Sequence, residues 1–327
     1  MILIPLALAA AGAVGLAAGT HLQHRAVRSR SEGPSQPRER GRDAVLRAFG
    51  DPAWLLGTGV IVLATVLNIV ALGLAPIALV QPVGVLALIC AAVISARALG
   101  VRMNRGLVRG IAMTGLSVVA FVGVSSAFVR DTTAAEPEAL RLVWALLALI
   151  ALGAVAARKR AGHLARVVGA GVLFGAVAAS AHVVSAAALG ILSAPEGIAS
   201  AVAHSAIPLP LLGLLLLLLA AASALGAWLV QTAYASGPPE TVLAGLTVID
   251  PVIAVAVGAA LLGEYAPMPP VALLLLAVSG LVACCGVAGI IRNHPDGPGT
   301  NRTAVAPVIP PTRDRALDGA AIANRRS

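Results

Sequence analysis

Charge is scarce in this chain. Asp, Glu, Lys and Arg together make up only 11% of its 327 residues, against 59% hydrophobic ones. A soluble domain needs more polar surface than that to stay dissolved, so the class is an integral membrane protein. Aromatic residues are rarer still, at 3%. The basic residues therefore have no aromatic partners interleaved with them, and nucleic acid is excluded as a partner despite a net charge of +9. There are three cysteines, Cys90, Cys284 and Cys285, all in apolar runs and without the CxxC spacing of a metal or redox site. They read as small packing residues. No nucleophile–base pair, phosphate loop or zinc motif occurs in a useful context, so neither an enzyme nor a cofactor is expected.

What the chain has instead is long apolar runs. Windows of roughly 18–25 apolar residues mark spanning helices. Nine are expected, over 2–21, 53–73, 77–98, 108–128, 139–157, 167–192, 209–235, 240–263 and 269–291. The first has no basic residues before it, and its arginines follow the apolar run, which predicts a retained anchor with its N-terminus outside. With that orientation, 21 of the 23 Lys and Arg residues fall on the inner side. Only Arg130 and Arg141 do not. Such asymmetry is the positive-inside pattern of a multi-pass protein of a bacterial plasma (inner) membrane, its C-terminus cytoplasmic.

Two segments are polar. The loop 23–50 is basic and reads as an anchor to anionic headgroups, and the tail 292–327, rich in Pro, Gly and Arg, is expected to be disordered. Residues 193–210 are too polar to span and are expected as an outer loop carrying a short interfacial helix.

The informative residues are polar ones inside apolar helices. Gln81-Pro82 and Asp250-Pro251 each place a polar residue before a proline within a helix, one in each half of the chain. An intramembrane carboxylate is costly, and a proline there frees backbone groups, so both are expected to mark a helix break and a solute path. Asp250 is the first candidate, for proton coupling or as the one carboxylate able to hold a metal ion, or else a protonated acid bonded to a carbonyl freed by Pro251. Gln81, Asn68 and Gln231 are candidates to line a cavity, or else to bond between helices. His182, between Ser180 and Ser185, is expected either to bind a proton or solute, or to sit neutral and bonded to a serine. Glu264 is expected near the outer surface, collecting cations or capping its helix in solvent. Gly15-x-x-x-Gly19 and Gly171-x-x-x-Gly175 let helices approach closely, within the chain or between the two copies of a homodimer.

Regions 54–128 and 222–291 follow the same order of features. Under the topology above, their proline-bearing helices run in opposite directions, an inverted repeat divided as four plus five helices. Here a resemblance enters. Trp54, Gly57, Asn68, Ala75-Pro76 and Leu79-Val80-Gln81-Pro82-Val83-Gly84, with Gln231, Asp250-Pro251 and Gly263-Glu264, resemble the NIPA-like magnesium transporter branch of the drug/metabolite transporter superfamily, with an EamA-like second half. The resemblance covers about 1–291 and implies alternating-access transport of a divalent cation such as Mg2+. The family often carries Gly-Glu before the Asn and a Glu at the end of the first proline-bearing helix. This chain has Ala64-Thr65 and Ala98-Leu99-Gly100 there. Fewer acids shift the expectation toward a small metabolite such as an amino acid, an amine or a drug. A non-transporting scaffold or accessory subunit for envelope assembly is the alternative from another class.

Overall fold

The computed structural model describes residues 2–31 and 51–293, apart from 99, 101, 131–133, 159–160, 196, 238 and 266–267. Most of the basic loop and nearly all of the tail, at 32–50 and 294–327, lie outside the described residues. The described chain is helical, with α1 (Leu3–Ser31), α2 (Pro52–Leu74), α3 (Ile77–Gly84), α4 (Leu86–Ala98), α5 (Arg105–Phe128), α6 (Glu136–Arg158), α7 (His163–Leu192), α8 (Ile198–Ala203), α9 (Leu209–Tyr234), α10 (Pro239–Ala260) and α11 (Pro270–Arg292). Taking α3 and α4 as one span, nine helical stretches among the described residues are long and apolar enough to cross a bilayer. This is a multi-pass membrane architecture. Large apolar side chains cover its outside, among them Leu217, Leu274 and Leu281.

The helix boundaries have local causes. Asp51 caps α2, its carboxylate accepting from Ala53 N, and Asn104 caps α5, accepting from Leu107 N. α2 stops because Ala75 precedes Pro76 and is extended, at φ −151° and ψ 156°. The predicted 77–98 helix is interrupted at Val85, three residues after Pro82. Pro251, by contrast, lies within a continuous α10. The expectation of a break at both prolines is thus corrected for Pro251: the loss of one ladder bond does not end a helix whose other bonds hold. The first helix also runs beyond the expected end at 21, to Ser31. The short α8 lies in the polar stretch where an interfacial helix was expected.

The packing is ordered. α1 lies against α2, α3 and α4, and α7 lies against α9 and α10. α5 packs on α11, and α3 packs on α10. α6 sits outside this set against α7 and α9. Both glycine stripes are spent inside the chain. A Cβ at Gly19 would come within 2.8 Å of the Gly57 carbonyl on α2. One at Gly175 would come within 2.8 Å of the Asp250 carbonyl on α10. α3 is the most enclosed element, with Ile77, Ala78, Leu79 and Val80 all buried. A helix buried on every side lies at the centre of a bundle.

Candidate functional site

Two polar positions stand out at the centre, at different depths along α10. The first is Asp250, the twelfth residue of that helix. Its neighbours Ile249 and Ile253 meet α7 at Gly171 and Gly175, and Gly258 meets Ile77 of α3. At about 100° per residue, Asp250 therefore faces the wedge between α7 and α3. Its Oδ1 is buried and has no hydrogen-bond partner among the described residues. An ionised carboxylate oxygen in that position needs a cation, a donor or a proton.

The second position is Glu264, and here the expectation is corrected. Glu264 is not peripheral but wholly buried. α10 ends at Ala260, earlier than expected, and Gly263 adopts φ +67°, a left-handed turn that glycine takes without strain. The chain folds back so that Glu264 N donates to Gly258 O at 3.1 Å. The side chain then enters the bundle rather than solvent. Its Oε1 accepts from Ile77 N at 2.7 Å and its Oε2 from Ala78 N at 3.0 Å. These are N–H groups of the first turn of α3, which have no partner within the helix and favour negative charge. Pro76 before them has no capping side chain. A carboxylate 187 residues away along the chain does the capping.

His182 of α7 completes the cluster. Its Nε2 lies 3.6 Å from Glu264 Oε1, and its Nδ1 is hydrogen-bonded to the Leu72 carbonyl of α2. The expected serine partner is corrected as well. Ser180 donates to Ala176 O and Ser185 to His182 O, both within their own helix. Hydroxyls in a helix commonly turn back onto a preceding carbonyl in this way. Gly73 lets α2 come this close to α7: a Cβ there would lie 3.0 Å from the Ser185 carbonyl.

The segment around Glu264 is tied down on every side. Arg130 N donates to Glu264 O at 2.6 Å, Val129 and Tyr265 form a β-bridge, and the Tyr265 and Ser125 hydroxyls are bonded at 2.9 Å. Arg141 Nη1 donates to Leu261 O at 3.0 Å and also pairs with Glu138 at 3.4 Å. The two basic residues that depart from the charge asymmetry thus both bind this segment, Arg130 through its backbone and Arg141 as a cation at the end of α10. Burial pushes the Tyr265 phenol above its ordinary value, the nearby Glu264 carboxylate adds to this, and the Ser125 hydrogen bond opposes it. With the folded value raised, ionisation is easier in the unfolded chain, so stability falls as pH rises past about 10. In Tyr234→Phe protein, where Tyr265 is the sole tyrosine, an absorbance titration is expected to place its midpoint above 10. Tyr265→Phe should flatten the alkaline loss of stability.

A cavity of about 460 Å3 lies on another face of α10. It is lined by Pro82, Val118, Phe121, Val248, Pro251 and Val255 among others, so the two prolines singled out in sequence share one space. Asp250 is not among its lining residues. Its hydroxyls are already engaged: Ser117, Thr247 and Ser279 donate to carbonyls of their own helices, and Tyr265 is bonded to Ser125. The cavity therefore suits apolar surface, in the size range of about 300–1,000 Å3 typical of small-molecule sites.

Other candidates stay apart. Asn68 is exposed on α2, with its backbone N and its Cβ against Gly12 of α1. Gln231 is exposed on α9, and Gln81 is half-buried beside Pro82. Among the described residues no three His, Cys, Asp or Glu side chains gather as a metal site. The chain matches no known family model, no curated protein and no solved structure.

The Glu264 cap was the residue whose place sequence reasoning missed. A signal was present: an acid between Leu261-Leu262 and Tyr265, and a helix start at Ala75-Pro76 with no capping side chain of its own. Gly258 makes room for it. A Cβ there would overlap Ile77 Cγ2 and lie 2.7 Å from Glu264 Oε2. Gly258→Ala is expected to cost about 1–3 kcal/mol through overpacking, read as a lower thermal midpoint in detergent.

Proposed function

We propose that the protein is a secondary transporter working by alternating access, with Asp250 in the solute path. The observation that carries this reading is the buried Asp250 oxygen without a partner, at mid-length of a proline-bearing helix in the bundle centre. Intramembrane acids of this kind are functional by default. The solute class favoured is a small organic cation with its charged end at Asp250; the apolar cavity walled by Pro251 and Pro82 lies on another face of the same helix and takes no part in that contact. Magnesium is the second reading. A carboxylate oxygen is a hard ligand of the kind Mg2+ accepts, and Mg2+ keeps several waters rather than needing a full protein cage.

The architecture in this proposal is the inverted repeat of the drug/metabolite transporter type, with the N-terminus outside and the C-terminus in the cytoplasm of a bacterium. Its support is the pairing of helices. If α1, α2, α3–α4 and α5 correspond to α7, α9, α10 and α11, then the packing of α1 on α2 and α3–α4 repeats as α7 on α9 and α10. α3 and α10, and α5 and α11, meet across the centre. α6 is then the helix left over, as four plus five requires. Orientation rests on the basic residues.

The test is flux into proteoliposomes of the purified full chain, with a magnesium indicator inside in one arm and radiolabelled amines and amino acids in the other. Saturable uptake of an organic cation supports the favoured reading. Saturable magnesium uptake moves the assignment to the second. No flux of either kind from folded protein sinks the transport reading and leaves the scaffold.

A further inference from the structure

Leu72 O is a carbonyl and can only accept, so His182 Nδ1 must carry the proton of their hydrogen bond. The neutral form of that ring then presents a lone pair at Nε2, and Nε2 faces the carboxyl oxygen Oε1 of Glu264 at 3.6 Å. Two lone pairs opposed in a buried space repel each other. One further proton, on Nε2 or on Oε1, turns the repulsion into attraction. The donors on Glu264 decide where it prefers to rest. Both carboxyl oxygens accept backbone N–H groups at the start of α3, which favours the ionised carboxylate and so the imidazolium.

We propose that His182 and Glu264 form a proton-binding site, and that this proton is the ion coupled to transport; the second part rests on the reading of the protein as a transporter. In the proposed repeat His182 and Glu264 both belong to the second half, and they tie it to the first at two points that any rocking of the halves must separate: the Leu72 carbonyl of α2 and the first turn of α3. When the proton leaves for water, neutral His182 and ionised Glu264 remain, their contact turns repulsive, and the hold of both side chains on α2 and α3 loosens. When it returns, the contact re-forms. Among the described residues, the other ionisable groups at this cluster are Tyr265 on the same segment and, further out, Arg141 of α6 with its partner Glu138. Arg130 is held there by its backbone amide. Asp250 lies roughly 12 Å along α10 from Gly258, so the proton site and the solute site are separate.

The experiment is nitrogen NMR of the full chain in bilayers with its histidines 15N-labelled, titrated from pH 5 to 10, with the His182 signal identified by its loss in His182→Gln. Infrared difference spectra of the wild type over the same range read protonated carboxyls without any variant. The expected result is a His182 ring doubly protonated at neutral pH, which loses one proton as pH rises and is neutral throughout in Glu264→Gln. A neutral Glu264 carboxyl beside a singly protonated ring also supports the site. A singly protonated His182 beside an ionised Glu264 at all pH values would overturn it. In proteoliposomes a pH gradient is expected to drive solute uphill. Solute flux indifferent to that gradient would overturn the coupling, whereas a bound proton with no flux of any solute would count against the transport reading alone.

Discussion

Glu264→Ala is expected to destabilise the protein by about 3–5 kcal/mol, the cost typical of removing one partner from a buried charged pair. The origin of that figure is local. The carboxylate is wholly buried, and its loss strands the Ile77 and Ala78 N–H groups at the start of the most enclosed helix. Each stranded donor costs about 1–3 kcal/mol. His182 loses the oxygen its Nε2 faces. Glu264→Gln should fall between wild type and alanine, because an amide oxygen accepts one of the two N–H groups but its NH2 cannot accept the other. Glu264→Asp should resemble alanine, since the shorter side chain does not reach from the Gly263 turn to α3. Thermal unfolding in one detergent, followed by circular dichroism, ranks the four proteins. An alanine variant as stable as wild type would show that the buried bonds carry no net stability.

Asp250→Asn is expected to reduce solute flux to the level of empty liposomes while leaving the thermal midpoint within a degree or two of wild type. The asparagine side chain has nearly the same shape, so the packing of Ile249 and Ile253 on Gly171 and Gly175 is kept, and only the charge is removed. Its amide oxygen, where the unpartnered Oδ1 now lies, no longer offers a full negative charge to a cation. Asn68→Ala and Gln231→Ala serve as contrasts. Both residues are exposed and stand apart from Asp250 on other helices, and both variants should keep flux. If Asp250→Asn transported normally, the solute path would lie elsewhere. The apolar cavity beside Pro82 and Pro251 would be the next place to look.

The spanning helices were legible because apolar runs of this length have one stable form in a bilayer, where every backbone polar group must be satisfied within the segment. Asp250 was legible for the same reason: a lone acid in such a run declares itself. Gln81, Asn68, Gln231 and His182 were legible only as polar residues at depth. Sequence spacing gives the depth of a side chain but not its direction around the bundle, because each helix can be rotated about its own axis without changing its hydropathy. Asn68 and Gln231 are exposed, while His182 meets a carbonyl of α2 and a carboxylate beyond α10.

What the sequence by itself determined is the class, the number of spanning segments and the position of Asp250, since these follow from transfer free energies summed along the chain. What only the tertiary structure decided is the place of Glu264. A left-handed turn at Gly263 reverses the chain three residues beyond α10 and brings the carboxylate to a helix start 187 residues earlier. Hydropathy reads such an acid as a surface residue. The N–H groups that repay its burial lie on another element, and folding alone brings the two together.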